Sequence, residues 1–427
     1  MSILFSKNQL ISSISLKDLY GSRREIVSYQ SNRYERLTNK FNDLFGSMPI
    51  RYFSAPGRTE ISGNHTDHNH GKVIAASINL DSIACVAKAN SAVKIVSEGY
   101  EKPFIVNLDN LNLIDMEAGT TNALIRGIAS RFVQKGFNIG GFNASITSDV
   151  LQGSGLSSSA SFELLIGTIF NYLYNDGKIP TEEIAKIGQY AENSYFKKPC
   201  GLMDQIACAI GGIISIDFYD PQIPIVNKIK FNFTDQNYAL IFIHTGGSHI
   251  NLTNDYAAIP KEMKDVAVEL SKEYCAEVEY KDFLYNIHKL RNKTSDRAIL
   301  RAYHFFKENQ RVTNQIDALN ANDFIKFLSL VNDSGNSSFK YLQNIYSSND
   351  PRYQPLSIAL AFTEDFISQK GEGACRVHGG GFEGTIQVFL ENKFTNEYVN
   401  YISNISDAFK ILNLSIRQIG TTEVIIH

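Results

Sequence analysis

Apolar residues recur along this chain with two periods, and the change from one to the other predicts alternating helices and strands. From about Leu16 to Phe45 charged residues are spread among apolar ones as in a helix. Runs rich in β-branched and small apolar residues at Val73 to Ile78, Ser82 to Ala87 and Val93 to Val96 each predict a strand. Thr120 to Lys135 predicts a helix, because Leu124, Ile125, Ile128, Ala129 and Phe132 fall at near-helical spacing. Phe142 to Ile146 predicts a strand, and an apolar helix-like segment begins at Phe162. Ile213 to Phe218 and Ala239 to His244 read as buried strands between polar turns, Lys261 to Phe339 is charged and helical, and Thr385 to Leu390 returns to strand. Ile416 to Ile426 can pair as a terminal strand. The expected class is α+β without a repeat. Composition marks no clean linker, and the turn signals Asp220-Pro221 and Ile223-Pro224 place the expected domain boundary between residues 1–225 and 226–427.

Composition narrows the function more than the fold. A chain of 427 residues with 43% hydrophobic and 20% charged content can fill two domain cores. Its formal net charge of -3, from 41 basic and 44 acidic residues, offers no field for nucleic acid or an anionic membrane, so small molecules are the expected partners. Met1 to Gln9 lacks a signal-peptide pattern and no later run approaches a membrane span, which makes a cytoplasmic protein the expectation. Five cysteines, an odd number without Cys-x-x-Cys spacing, argue against a disulfide framework or a zinc site. Packed, reduced thiols are expected, Cys200 included.

Three segments carry candidate chemistry. Ala55 to Gly71 puts Arg58, His65 and Asp67 on one glycine-punctuated, turn-rich segment. Carboxylate and imidazole suit paired hydroxyls, and arginine suits phosphate, so the combination points to a sugar and a phosphoryl donor. A polar surface loop is the alternative reading, and His65, His68 and His70 are also close enough to invite a metal. In the second segment Gly153, Ser154, Gly155, Leu156, Ser157, Ser158 and Ser159 run directly into the apolar helix. Small residues there let unpaired backbone N–H groups approach a phosphate, while the serines add donors and possible magnesium ligands. No lysine follows as in a Walker loop, and a serine-rich helix cap would use the same residues. In the third segment Glu192 and Asp204 flank a Pro199-Cys200-Gly201 break between helical runs. Asp204, near the start of the second run, is favoured as the ionised form that a general base requires; a capping aspartate is the competing account.

Taken in order, these motifs resemble the GHMP small-molecule kinases, and within them the galactokinases. Gly57 to Gly71 resembles the sugar motif, Gly153 to Ala160 the phosphate loop, Cys200 to Gln205 the catalytic segment, and His378 to Gly384 the C-terminal glycine-rich motif. The resemblance implies a two-domain GHMP kinase fold with the active site in the interdomain cleft, and transfer of the γ-phosphate of ATP to the anomeric hydroxyl of galactose. It implies Asp204 as general base and Arg58 as charge stabiliser, with Gly153 to Ser159 around the ATP phosphates. Ser158 or Ser159 together with Glu192 would hold Mg2+, and His65, Asp67, the Gly201 backbone and Tyr256 would contact the sugar. The chain also departs from the family pattern. Glu60, Ser62, Asn64 and His68 stand where galactokinases usually have Asn, Ile, Glu and Tyr. Asn64 replaces a glutamate that looks toward the primary hydroxyl of the sugar, which makes Asn64 a candidate sugar contact and galacturonate an alternative substrate. A sugar- and ATP-binding sensor without catalysis is the third reading, opposed by the unbroken Ser157 to Ala160 run and by Arg58 and Asp204. Leu151 stands at a frequent proline and Glu383 at a glycine, and the latter puts close backbone approach in question.

Overall fold

The computed structural model describes residues 14–151, 153, 155–246, 252–382 and 384–426. The lead segment forms two helices, α1 (Leu16–Tyr20) and α2 (Arg24–Phe45), separated at Gly21, whose φ of 85° ends the first. Next comes β1 (Arg51–Ser62), whose residues from Phe53 onward are all buried. Here the structure departs most from the sequence reading, since the first half of the presumed turn-rich segment is strand. Bulges between Pro56 and Arg58 and between Glu60 and Ser62 absorb the proline and glycine that look like turn signals. The two predicted strands after it are one, β2 (Lys72–Lys88), which runs unbroken through Asn79 and Asp81.

In chain order there follow β3 (Ala92–Ser97), β4 (Phe104–Asn107), α3 (Thr121–Gln134), β5 (Phe142–Ser148), α4 (Ser158–Tyr174), α5 (Thr181–Ala191), α6 (Met203–Ile210), β6 (Ile213–Asp217) and β7 (Ile225–Ile229). The second half contains β8 (Tyr238–His244), α7 (Thr253–Glu269), α8 (Tyr280–Tyr285), α9 (Ile287–Arg291), α10 (Asp296–Asn320) and α11 (Phe324–Ser337). It closes with α12 (Pro355–Lys370), β9 (Gly373–His378), β10 (Thr385–Glu391), α13 (Thr395–Ser403), β11 (Lys410–Leu414) and β12 (Thr422–Val424). The terminal strand is thus shorter than the predicted run, Ile416 making only an isolated bridge to Ile78.

Among the described residues twelve strands form two sheets. The larger has eight, in the order β12-β1-β2-β5-β3-β4, with β6 and β7 extending from the other stretch of β2; the smaller is β11-β8-β10-β9. β2 reaches both parts because it is long: residues 82–88 pair with β5 and residues 72–76 with β6. Its side chains alternate as a strand's must. Ala84 and Val86 join the core under α3 to α6, while Ile83, Cys85 and Ala87 face α1 and α2. A third core joins the two sheets, with Ile61, Ile74, Ile78 and Leu156 from one side meeting Leu240, Phe242, Phe327 and Phe389 from the other. The expected boundary at residue 225 meets the start of β7, a strand of the larger sheet, and the Asp220 to Pro224 turns lie within the β6–β7 hairpin. The chain returns to that sheet at β12, which pairs with β1. Among the described residues no helix is long and apolar enough to cross a membrane.

Candidate active site

Arg58 points from the centre of β1 at the start of α6. Its Nε and Nη2 each donate to one oxygen of Asp204 at 2.7 Å, a bidentate pair, and its Nη1 donates to the Gly155 carbonyl at 2.5 Å. Ser157 donates its hydroxyl to the same Asp204 carboxylate. To do so it takes the left-handed conformation, φ 60° and ψ 58°, as the residue preceding α4. That conformation costs an L-residue about 1–2 kcal/mol, a strain that places the hydroxyl where charge is concentrated. Burial works to raise the Asp204 carboxyl, but the Arg58 guanidinium, the Arg58 and Ser157 hydrogen bonds and Lys198 outweigh it and hold the group below its ordinary value. The carboxylate is therefore ionised at neutral pH while 30% of its side chain remains exposed to the cleft.

The Gly153 to Ser159 loop, the expected phosphate loop, lies directly on β1. Arg58 N–H donates to the Leu156 carbonyl at 3.1 Å, and a Cβ on Gly57 would come within 2.8 Å of that same oxygen, so glycine is required for the contact. Gly153 and Gly155 both have positive φ, 72° and 77°. Ser158 and Ser159 begin α4, whose first N–H groups have no helical partner and carry the positive end of the helix dipole. Leu156 itself is a core residue, 1% exposed, so it contributes through its backbone. Ser154 and Glu383 lie outside the described residues.

Glu192 sits beside this cluster in a buried carboxylate pair that the sequence reading missed. Gln205 donates one amide nitrogen to Oε2 of both Glu163 and Glu192, each at 3.0 Å, and Lys198 reaches Glu192 Oε1 at 3.2 Å. Glu163 is pushed well above the usual carboxylate range by burial and by the neighbouring Glu192. The signal was present in the sequence: a single acid on the apolar face of α4, which has to be paired or neutral. Cys200, next in line, is raised by burial and by Glu192 and accepts from Gln205 at 3.7 Å, as a packed thiol.

Of the expected sugar contacts, Asp67 and Gly201 face each other: a Cβ on Gly201 would lie 2.9 Å from Asp67 Oδ2. His65 and Tyr256 meet at the C-terminal glycine turn. His65 Nε2 donates to the Gly380 carbonyl at 3.1 Å, and the Tyr256 hydroxyl donates to Gly381 at 3.1 Å. Burial and His68 push the His65 imidazole down to about 4, so it is neutral at physiological pH. Asn64 is placed differently from the expectation. Fully buried, it donates to Glu60 Oε1 at 3.2 Å and to the Gly379 carbonyl at 2.6 Å, while its oxygen accepts from Asn344 at 2.8 Å and Ser338 at 3.3 Å. The amide is saturated by protein and has no donor left for a ligand. The acid at position 60 and the amide at position 64 exchange the family's order, and the two side chains touch, with Arg376 Nη2 on Glu60 at 2.8 Å. Of the other histidines, His70 stacks on Tyr274 at 3.6 Å, and no group of three or more metal-ligating residues occurs among the described residues.

The fold is that of a GHMP kinase. The family description GHMP kinases N terminal domain matches residues 123–212, and the galactokinase galactose-binding signature matches residues 39–88. A galactokinase of Pyrococcus furiosus is 32% identical over 335 residues, covering 78% of this chain and 86% of its own. A galactokinase of Clostridium tetani is 26% identical over 389 residues, 89% of this chain and 94% of its own. Among solved structures, Lactococcus lactis galactokinase complexed with galactose superimposes with a TM-score of 0.78 at 23% identity, over 91% of this chain and 99% of that one. A mevalonate kinase follows at 0.61 and 17%, over 86% of this chain and 99% of its own, so the shared fold extends beyond the sugar kinases. The chain belongs to the galactokinase family.

Proposed function

We propose that this protein transfers the γ-phosphoryl group of ATP to the anomeric hydroxyl of galactose, giving galactose 1-phosphate and ADP. The observation that carries the chemistry is the bidentate Arg58–Asp204 pair against the phosphate loop, with Ser157 on the same carboxylate. The sugar follows from the relatives, which are galactokinases, one of them complexed with galactose. Asp204 accepts the proton of the attacking hydroxyl. Because Arg58 and Ser157 lower its basicity, transfer comes late, once the oxygen has begun to bond phosphorus and become acidic. Arg58 has all three nitrogens engaged, so it acts through its permanent charge on the transferring group.

The Gly153 to Ser159 loop binds the phosphates through its backbone N–H groups and serine hydroxyls, and alignment there with charge neutralisation is most of what phosphoryl transfer needs. His65, Asp67, the Gly201 backbone and Tyr256 contact the sugar in the cleft between the lobe built on the larger sheet and the lobe built on the smaller one. Glu192 with the Ser158 or Ser159 hydroxyl is an all-oxygen donor set, which fits magnesium that takes one protein carboxylate and otherwise phosphate oxygens and water. When bound, the ion supplies charge neutralisation to the phosphates. Glu192 would exchange its Lys198 partner to hold it. Asn64, with both N–H donors taken, is left out of the sugar contacts, and galacturonate loses the amide that motivated it.

A coupled ADP-release assay with magnesium, ATP and galactose, galacturonate or glucose tests the proposal. Galactose is the expected substrate, and preference for galacturonate overturns the sugar. Asp204→Asn is expected to lower turnover by roughly 10²–10⁴-fold; near-normal turnover removes it as the base.

A further inference from the structure

His378 ends β9, immediately before the Gly379 to Gly381 turn, and is 2% exposed. Its surroundings fix its chemistry. The backbone N–H of Glu60 reaches His378 Nε2 at 3.1 Å. A backbone N–H can only donate, so Nε2 is the accepting nitrogen and the ring proton is on Nδ1. Thr59 Oγ1, also 3.1 Å from Nε2, adds a hydroxyl on the same side. The Phe242 ring packs edge-on at 4.8 Å and holds the imidazole plane. Burial, then Arg58 and Arg376, keep the ring neutral by pushing it well below its usual value.

The opposite nitrogen, Nδ1, has no hydrogen-bond partner among the described residues, although it is buried. A buried donor left unmade costs about 1–3 kcal/mol, which a structure offsets when a ligand completes the bond. What faces it is the phosphate loop: a Cβ on Gly155 would lie 3.5 Å from Nδ1 and 3.7 Å from Cε1. Glycine at 155 leaves that space open, and the Gly155 carbonyl is turned away to Arg58 Nη1. A neutral, fixed donor of the smaller-sheet lobe therefore faces the loop of the larger-sheet lobe.

We propose that His378 is a phosphate-binding residue, donating from Nδ1–H to an oxygen of the polyphosphate chain of the nucleotide held by the Gly153 to Ser159 loop. The proposal rests on the kinase reading above. It makes the glycine-rich turn more than a sugar-side wall, because the residue that opens the turn on one side of the cleft also grips the phosphoryl donor on the other. A neutral imidazole suits that place: beside Arg58 it adds a directed donor without a second buried cation.

Two substitutions separate the ring's two nitrogens. His378→Gln carries a polar group to the Nε2 position, where its amide oxygen accepts the Glu60 N–H, and leaves Nδ1 unreplaced. His378→Asn keeps an amide donor near Nδ1 and gives up the contact at Nε2. The full-length protein is titrated calorimetrically with a non-hydrolysable ATP analogue plus magnesium, and separately with AMP. His378→Gln is expected to weaken the analogue by about tenfold or more, the worth of a hydrogen bond to a charged group, while leaving AMP and the melting temperature unchanged. His378→Asn is expected to keep most of the analogue affinity. Equal analogue affinity in wild type and His378→Gln, or an equal loss for AMP, overturns the proposal while leaving the kinase reading intact. Failure of the wild type to bind either nucleotide overturns both. A readout without any variant is the imidazole ¹⁵N–¹H spectrum of the wild-type protein, in which the His378 Nδ1–H signal is expected to shift with the analogue and not with AMP; an unmoved signal counts against the contact.

Discussion

A single carboxylate, Asp204, shows how the site sets its own pH range. Its ordinary value is 3.8, and in the folded protein burial is outweighed by Arg58, by the Ser157 hydroxyl and by Lys198, so the group titrates lower still. The sign of the linkage follows. A depressed acid contributes stability that is fully present above its unfolded value and is lost as pH falls through the folded one. The stability gap between wild type and Asp204→Asn is therefore expected to be constant above about pH 5 and to shrink below about pH 4. Urea unfolding at a series of pH values measures it, and a gap that widens on acidification would contradict the ionised pair. With Asp204 as the proposed proton acceptor, activity is expected to follow the same group: between about pH 5 and 8 it stays ionised, and any acid limb in that range has to come from another residue. Ser157→Ala removes one of the bonds that stabilise the ionised form, and the expected acid limb moves to higher pH.

At the scale of elements, β1 and the phosphate loop work as one unit, since the loop's Leu156 carbonyl receives the Arg58 N–H and Gly57 leaves room for it. Gly57→Ala would set a methyl 2.8 Å from that oxygen and 3.0 Å from Val150 Cγ1, and backbone cannot yield cheaply. The expected cost is about 1–3 kcal/mol of stability, together with a loss of turnover as Arg58 moves off Asp204. Denaturant unfolding and the ADP-release assay check both, and a variant with wild-type turnover would show that β1 does not set the loop. The same strand shows where sequence reading stops. Arg58, Asp204 and Ser157 stand out in the sequence as candidate chemistry, because few residue types suit phosphate and proton transfer, and the structure brings the three together. That Arg58 lies in a buried strand was not, because β1 is covered on both faces and lacks the alternation that marks a half-buried strand. Its two buried charges, Arg58 and Glu60, are satisfied by Asp204 and Arg376, far away in the chain, and no local pattern announces such partners. Asn64 was misread for the same reason: Ser338, Asn344 and Gly379, which saturate its amide, come from the other half of the chain.

Over the whole molecule, the segment between β11 and β12 ties the halves together through one buried ion cluster. Arg417, 2% exposed, donates from Nη1 to Asp81 at 2.9 Å and to Ser54 at 2.6 Å, from Nη2 to the Gly420 carbonyl at 2.9 Å and from Nε to Ile419 at 2.7 Å. Asp81 also receives Arg33 from α2 at 2.8 Å and the Tyr20 hydroxyl from α1. One carboxylate on β2 thus joins both lead helices, β1 and the returning chain, and the two arginines overcome the burial that would otherwise raise it. The predicted terminal run was visible as apolar residues, but the reason it returns to the larger sheet is this arginine, whose partner lies 336 positions earlier. Arg417→Met removes one of two cations and all four hydrogen bonds. The expected loss is about 3 kcal/mol, at the lower end of the range for breaking a buried pair because Arg33 remains. Asp81→Asn is expected to be costly alone for the converse reason, leaving two buried guanidinium groups short of charge. Since the two side chains share one network, the double variant should lose less than the sum of the single losses. Urea midpoints for the four proteins measure the coupling, and strict additivity would mean that the cluster is held by packing and not by charge. Turnover per folded molecule is expected to stay close to wild type in Arg417→Met, because β1 keeps its pairing with β2 along its length and Arg58 keeps Asp204. The cluster then governs how much of the protein is folded, and the Arg58–Asp204 pair is the proposed determinant of what the folded protein does.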